Sequence, residues 1–160
     1  MTENQAVSKI AAYCSRAERS KDDARRKLTA WGIDRETAER IISRLEKENF
    51  IDEKRFCHAF IKDKARFNKW GKTKITYELK KKGISSEIIN ASLKEVEGEC
   101  GFEDQLMKIL TTKNAALKDD NIVQRRLKLF RFAAGRGFSP DMINRCLDKL
   151  PDGKGNDYSF

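Results

Sequence analysis

The residues best suited to chemistry in this sequence are four cysteines and one histidine. The cysteines stand far apart, with no Cys-x-x-Cys pair and no histidine cluster, so they lack the ligand spacing of a zinc site. We expect reduced, mostly buried thiols at Cys14, Cys57, Cys100 and Cys146. His58 lies between two phenylalanines on a predicted helix, which favours a partly buried structural imidazole over a general base.

The string Gly-Lys-Thr at residues 71–73 ends like a phosphate-binding loop, in which lysine and hydroxyl meet phosphate and magnesium. The earlier glycine that such a loop requires is replaced by Arg66, and no strand is predicted before it. A helix start explains the string better, and the amides of its first turn could hold one DNA phosphate. The acidic pairs at 52–53 and 119–120 are predicted in first helical turns, where they complement the macrodipole. We nominate no catalytic residue, no metal site and no cofactor.

The excess of positive charge lies in the middle of the chain. Residues 54–82 hold eleven Lys or Arg against two acidic residues, an excess of nine that equals the net charge of +9 of the whole sequence. A field focused in this way attracts phosphate or an acidic protein surface. Because self-repulsion costs free energy without a partner, we favour a binding role for these cations over a merely solvated helix face.

Aromatic residues near these cations could stack on unpaired bases. Trp70, at a predicted helix junction, is the best placed of them, and Tyr77 is a second candidate. Core packing is the expected role of Trp31 and Phe67. For Arg25 and the neighbouring Arg26, binding and a solvated face are equally favoured. The predicted filament-binding or nucleic-acid-binding residues are Arg25, Arg26, Lys64, Arg66, Lys69, Trp70, Lys72, Lys74, Lys80, Lys81, Lys82, Arg131 and Arg136.

Three helical segments, which must position these residues, align around Gly32, Gly83 and Gly137. Each glycine is placed to end a helix in the left-handed conformation, and the residue after it can pack back onto the last turn. A capping Asp or Ser then starts a second helix. The caps are Asp34, Ser85 and Ser139, with Pro140 as a first helical residue. The apolar positions that recur in the three copies are Ala24, Leu28, Ala38, Ile42 and Leu45, then Ile75, Leu79, Ile89, Leu93 and Val96, then Leu129, Ala133, Ile143, Leu147 and Leu150.

A further amphipathic segment precedes each helix pair, so each unit should hold three helices. We predict an all-α fold of three tandem three-helix repeats stacked into an elongated, curved arrangement. The repeats are expected at 1–49, 50–98 and 99–150, the second strongly basic, with a disordered tail at 151–160. Neither a signal peptide nor a membrane span is evident, which predicts a cytoplasmic protein without membrane contact, and we expect a monomer.

The middle segment carries a set of landmarks in fixed order. An acidic pair precedes Arg55-Phe56, an aromatic follows at Phe60, a glycine opens a basic helix, and Glu78-Leu79 leads to Lys82-Gly83-Ile84. These landmarks resemble the RecX family of recombination regulators. The resemblance extends to residues 20–33 and to 131–139, and so covers most of the chain.

The resemblance implies tandem three-helix units and an inhibitory modulator of the RecA recombinase. Such a modulator binds within or along the groove of the filament on single-stranded DNA and suppresses ATP hydrolysis and strand exchange. The implied partners are the RecA filament and single-stranded DNA, with double-stranded DNA as a further ligand. Gly135, inside the basic helix of the third unit, and Tyr77, where many relatives have a basic residue, depart from the pattern. Two alternatives stay open: a stand-alone helical DNA-binding protein, and a structural adaptor whose cations serve only solubility.

Overall fold

The computed structural model describes residues 1–118 and 121–151, and within these ranges every regular element is an α-helix. The predicted all-α class is therefore confirmed. A chain with 37% charged residues and two prolines suits such solvated helices. In chain order the helices are α1 Glu3–Arg16, α2 Lys21–Ala30, α3 Arg35–Lys47, α4 Glu53–Arg66, α5 Lys72–Lys81, α6 Ser86–Cys100, α7 Phe102–Ala116, α8 Ile122–Gly135 and α9 Pro140–Asp148.

The three aligned glycines end their helices as predicted. Gly32, Gly83 and Gly137 have φ angles of 81°, 81° and 93°, the left-handed region that costs glycine no Cβ clash. The amide of the next residue then reaches back into the last turn, as in Ile33, which donates to the Leu28 carbonyl at 3.0 Å. The same bond closes α5 and α8. The three copies therefore share one helix ending.

The predicted caps also start the helices that follow. The Asp34 carboxylate accepts from the Thr37 amide at 3.2 Å, and the Ser139 hydroxyl accepts from the Met142 amide at 3.3 Å. The Ser85 hydroxyl accepts a hydrogen bond from the corresponding amide of α6. Each side chain satisfies a donor that has no partner inside its own helix.

The recurring apolar positions form the core, and all of them are buried except Leu150, which is half-buried. In the first three helices the buried cluster joins Ile10 of α1, Leu28 of α2 and Leu45 of α3. In the last three, Leu110 of α7 and Ile143 of α9 are buried in the same way, and α7, α8 and α9 all contact one another. The helical periodicity of apolar residues in the sequence therefore predicted the buried helix faces correctly.

Spatial contacts divide the chain into two compact units. Unit 1 comprises Met1–Phe60 and Glu78–Lys94, and unit 2 comprises Ile61–Tyr77 and the described residues from Glu95 onward. Helices α4, α5 and α6 contribute residues to both units. The repeat boundaries near residues 49 and 98 stay a prediction. Apart from Pro151, the tail expected to be disordered lies outside the described residues, as does the acidic pair at 119–120.

The four cysteines are buried free thiols, as expected, and His58 is half-buried. Burial raises the pKa of the Cys57 thiol to about 11, and the nearby Glu53 carboxylate adds to the effect. Phe67, expected in the core, is instead 79% exposed because α4 ends at Arg66 and the next residue faces solvent. Within the described ranges, no helix is long and apolar enough to cross a membrane, and no cluster of His, Cys, Asp or Glu could hold a metal ion.

Candidate functional site

The loop between α4 and α5 places Trp70 among cations of unit 2. Its chain reversal begins at Lys69, which has a φ of 56°, and the Trp70 amide donates back to the Lys64 carbonyl at 3.1 Å. The Lys69 ammonium donates to the Arg66 carbonyl at the end of α4. A left-handed residue and two bonds to the last turn of α4 thus fix where the indole lies.

Two lysine ammonium groups lie over the Trp70 ring. Lys74 Nζ lies 4.6 Å and Lys64 Nζ 5.0 Å from the ring centroid, both within cation–π range. The indole is half-buried, so part of the ring packs against the protein and part is accessible to a binding partner. Because ammonium groups already lie over the ring, its observed role is to position cations. Stacking of Trp70 on a base stays a prediction.

The start of α5 is bound to the turn that follows α8. The Gly71 amide donates to the Arg136 carbonyl at 2.8 Å, and the Thr73 amide donates to the Gly137 carbonyl at 3.0 Å. A Cβ atom on Gly71 would lie 2.7 Å from Phe138 Cα, so only glycine permits this approach. Two amides that could have held a DNA phosphate are therefore occupied by backbone carbonyls.

Several predicted cations of unit 2 are held in place without a carboxylate. Arg66 donates to the Glu99 carbonyl at 3.0 Å, and the Arg136 guanidinium lies 4.9 Å from the Phe132 ring centroid. The Arg131 side chain is exposed and makes no hydrogen bond or ion pair with a described residue. Among the described residues, no carboxylate lies within ion-pair distance of Arg66, Lys69, Lys74, Arg131 or Arg136. Their charge therefore stays available to an anionic partner.

Lys72 differs from these cations because it has an acidic partner. Its ammonium lies 2.5 Å from a carboxylate oxygen of Glu97 on α6, and 5.6 Å from the Phe102 ring centroid. The Gly-Lys-Thr lysine therefore links two helices. A partner would have to compete with Glu97 for it.

The two predicted arginines of α2 both have acidic partners. Arg25 contacts Glu39 at 2.6 Å, and Arg26 contacts Asp22 at 3.1 Å one helical turn away. The Glu39 carboxylate raises the pKa of Arg25, which is already fully charged at neutral pH. These pairs favour a structural role over a binding role for the two arginines.

The lysines at the end of α5 also differ in whether an acidic partner is present. Lys82 is half-buried and contacts Asp23 on α2 at 3.0 Å, and Lys81 lies 3.5 Å from Glu78. Burial by itself raises the pKa of Asp23, but the Ser20 amide and the Lys82 ammonium more than offset it and hold that pKa below its ordinary value. The Lys80 side chain is exposed and has neither a hydrogen bond nor an ion pair to a described residue. Lys80 is thus the member of the run most available to a partner.

Sequence reasoning missed a buried cation near the end of α7. Arg125 on α8 is 5% exposed and donates to the Asn114 side chain at 2.7 Å and to the Leu117 carbonyl at 3.2 Å. A cation at the carboxyl end of a helix is favoured by the macrodipole. The chain offered one signal, since Arg125 stands four positions before Leu129 on the apolar face of α8.

Comparison with known proteins agrees with this architecture. Residues 52–93 match the family model of the RecX second three-helix domain, and residues 103–147 match that of the RecX third three-helix domain. The regulatory protein RecX of Prosthecochloris aestuarii is 31% identical over 146 residues, which are 91% of this chain and 93% of the relative. The chain belongs to the RecX family. The regulatory protein RecX of Chlorobium phaeobacteroides is 34% identical over 79% of this chain and 77% of its own length.

A solved RecX structure shows the same fold. The crystal structure of RecX from Lactobacillus salivarius superposes with a TM-score of 0.80 over 92% of this chain and 96% of that chain, at 19% identity. The candidate cations from Lys64 to Lys82 lie in the stretch that matches the second RecX domain, and Arg131 and Arg136 lie in the stretch that matches the third. Arg25 and Arg26 precede both.

Proposed function

We propose that this chain regulates the RecA recombinase by binding the RecA filament on single-stranded DNA, and that it thereby suppresses ATP hydrolysis and strand exchange. Membership of the RecX family supports regulation of RecA as the general role. The observation that supports a binding surface is that five of the predicted site cations of unit 2 have no carboxylate partner among the described residues. We name them the open cations: Arg66, Lys69, Lys74, Arg131 and Arg136.

The open cations suit a polyanionic partner for two reasons. Cation–π contacts and backbone carbonyls hold the Lys74, Arg66 and Arg136 heads, so less side-chain entropy is lost when a partner binds. No carboxylate of the described part of the chain lies within ion-pair distance of them, so a phosphate or acidic side chain adds attraction without displacing an ion pair seen in the structure. A protein that works by binding needs no catalytic residue, in keeping with a regulator that changes the activity of another protein.

The test is DNA-dependent ATP hydrolysis by RecA, titrated with the wild-type chain and with two triple variants. The first removes three open cations (Arg66→Gln, Lys74→Gln, Arg131→Gln). The second, a matched control, removes the same charge from unit 2 cations that already have carboxylate partners (Arg126→Gln, Arg145→Gln, Lys149→Gln). We expect the half-inhibitory concentration to rise about tenfold or more for the first variant, since charge-assisted hydrogen bonds contribute about 1.5–3 kcal/mol, and to change little for the control.

Strand exchange, measured in the same titration, should follow ATP hydrolysis. Equal loss of inhibition in both variants would show that total charge, rather than the open cations, governs binding. Tight DNA binding by the isolated protein with no effect on RecA would establish the stand-alone DNA-binding alternative. Full inhibition by both variants would point to the adaptor alternative, in which the cations serve only solubility.

A further inference from the structure

A second basic surface lies on unit 1, and it contains none of the predicted site residues. Helix α1, the α1–α2 loop and α2 enclose an open cavity of about 400 Å³. Four cations and two aromatic residues line it, which we name the basic cup: Lys9, Tyr13, Arg16, Arg19, Lys27 and Trp31.

The spacing of these residues explains how the cup forms. Lys9, Tyr13 and Arg16 stand on one face of α1, and Lys27 precedes Trp31 by one turn at the end of α2. Arg19 in the connecting loop donates through Nε to the Tyr13 carbonyl at 3.2 Å, which fixes it beside the last turn of α1. Two helices and their loop therefore point their cations to one place.

The aromatic rings hold three of the cations in position. The Arg19 guanidinium lies 3.9 Å and Lys27 Nζ lies 5.2 Å from the Tyr13 ring centroid, and Lys9 Nζ lies 4.7 Å from that of Trp31. Such contacts orient a cation without neutralising it. Both rings are half-buried and pack against the apolar core of the first three helices.

Among the residues that the structure describes, no carboxylate lies within ion-pair distance of the four cup cations. The first 31 residues contain four acidic residues, and each contacts a cation outside it. Glu3 lies 3.0 Å from Arg40, and Glu18 lies 2.7 Å from Arg55. Asp22 and Asp23 are held by the paired cations Arg26 and Lys82. The four cup cations therefore concentrate positive charge in a concave site, where low-dielectric walls focus the field.

We propose that the basic cup binds a backbone phosphate of single-stranded nucleic acid. Oriented cations at a concave surface match a phosphodiester, and a flexible single strand can enter a recess that a stiff duplex can only bridge. The half-buried indole of Trp31 gives the adjoining sugar or base an apolar surface. This site is independent of the proposed action on RecA, because it uses other residues and its ligand is the strand alone.

The first experiment measures binding of a short fluorescein-labelled oligothymidylate by the full chain, without RecA, over a salt series. The cup variant is Lys9→Gln, Arg16→Gln, Lys27→Gln. The matched control removes the same charge from exposed positions of α3 outside the cup: Arg35→Gln, Arg44→Gln, Lys47→Gln. Removing three cations that surround the bound phosphate should weaken binding at low salt about tenfold or more and flatten the logarithmic salt slope by about 0.7, the value for one neutralised phosphate of a single strand.

The second experiment places the ligand at the cup. In a Trp70→Phe background Trp31 is the one remaining tryptophan, so its emission reports occupancy of the cup. The emission should change as the oligonucleotide saturates, and this change should vanish in the cup variant. Circular dichroism checks that each variant is folded.

Four results would overturn the proposal: no binding by the wild type, equal weakening in the cup and control variants, an unchanged Trp31 signal at saturation, or displacement of the oligonucleotide by inorganic phosphate at matched phosphate concentration. The last result would assign the cup to a small phosphate ligand. Because RecA is absent, none of these outcomes affects the ATP hydrolysis test, and failure of that test leaves the cup proposal standing.

Discussion

At the scale of single residues, partners decide which cations can act. Lys72 and Lys74 are two positions apart on α5, yet Lys72 contacts the Glu97 carboxylate whereas Lys74 lies over an indole ring. The first charge is compensated by that carboxylate, whereas the second has no acidic partner among the residues that the structure describes. A count of lysines in the sequence treats both residues alike, so the structure is needed to separate them.

The Lys82–Asp23 contact predicts a dependence of stability on pH. The pKa of Asp23 is depressed in the folded protein, so its contribution to stability is present above the ordinary aspartate pKa and is lost as pH falls through the lower, folded value. Asp23→Asn should therefore lower the free energy of unfolding by about 1 kcal/mol near neutral pH. The difference from wild type should shrink below about pH 4.

Urea unfolding at several pH values measures this difference. Lys82→Gln serves as the partner control and should remove part of the same pH dependence, because the Ser20 amide continues to bind Asp23. A difference between wild type and Asp23→Asn that stays constant from neutral to acid pH would contradict this account.

At the scale of elements, the contact between the α4–α5 loop and the α8–α9 turn depends on one missing side chain. Gly71→Ala would bring a Cβ atom to 2.5 Å from the Gly137 carbonyl carbon and 2.7 Å from Phe138 Cα, and backbone atoms cannot rotate away. We expect a loss of about 2–3 kcal/mol in the free energy of unfolding, in the upper range for overpacking.

Gly98→Ala is the matched control for that substitution. Gly98 lies inside α6, and a Cβ atom there would meet nothing within 4 Å. Alanine should stabilise the helix by about 0.5–1 kcal/mol because it restricts the unfolded chain and favours helix. Chemical denaturation of the two variants should thus give changes of opposite sign, and a stable Gly71→Ala protein would show that the turn can move.

At the scale of the whole molecule, the concentration of charge in residues 54–82 predicts that inhibition of RecA weakens with salt. Raising sodium chloride from about 50 to 200 mM should increase the half-inhibitory concentration of the wild type severalfold, because screening and counterion release both oppose binding to a polyanion. The variant without three open cations should show a shallower dependence. RecA without the regulator, measured at each salt concentration, provides the baseline, and salt-independent inhibition would contradict the prediction.

The sequence predicted most of the fold because its signals were local. Helix periodicity, the glycine after each basic helix and the caps Asp34, Ser85 and Ser139 act within a few residues, and the structure confirms them. The prediction that Phe67 lies in the core was wrong because the apolar periodicity of the sequence continues past Arg66, where α4 ends. One residue beyond a helix end is enough to turn a side chain from the core to solvent.

The candidate site was less predictable because it depends on contacts between distant segments. Nothing local in the sequence shows that Gly71 contacts Gly137, or that Glu3 and Glu18 pair with the distant Arg40 and Arg55 and not with the cations of the basic cup. The distribution of charged residues along the sequence placed the excess positive charge in the middle of the chain. Which cations remain without a carboxylate is a property of the folded molecule.

The hydrogen bonds from Gly71 and Thr73 to the 136–137 turn also have a consequence during synthesis. A ribosome releases the α4–α5 loop long before the residues that will accept its two amides. Until α8 and the following turn emerge, the loop can form its bonds to α4 but not those to its distant partner. The indole of Trp70 and the lysines around it therefore reach their final positions only after residues 136–137 have been translated, so a chain truncated before Gly137 would carry the charge of this region without its fixed geometry.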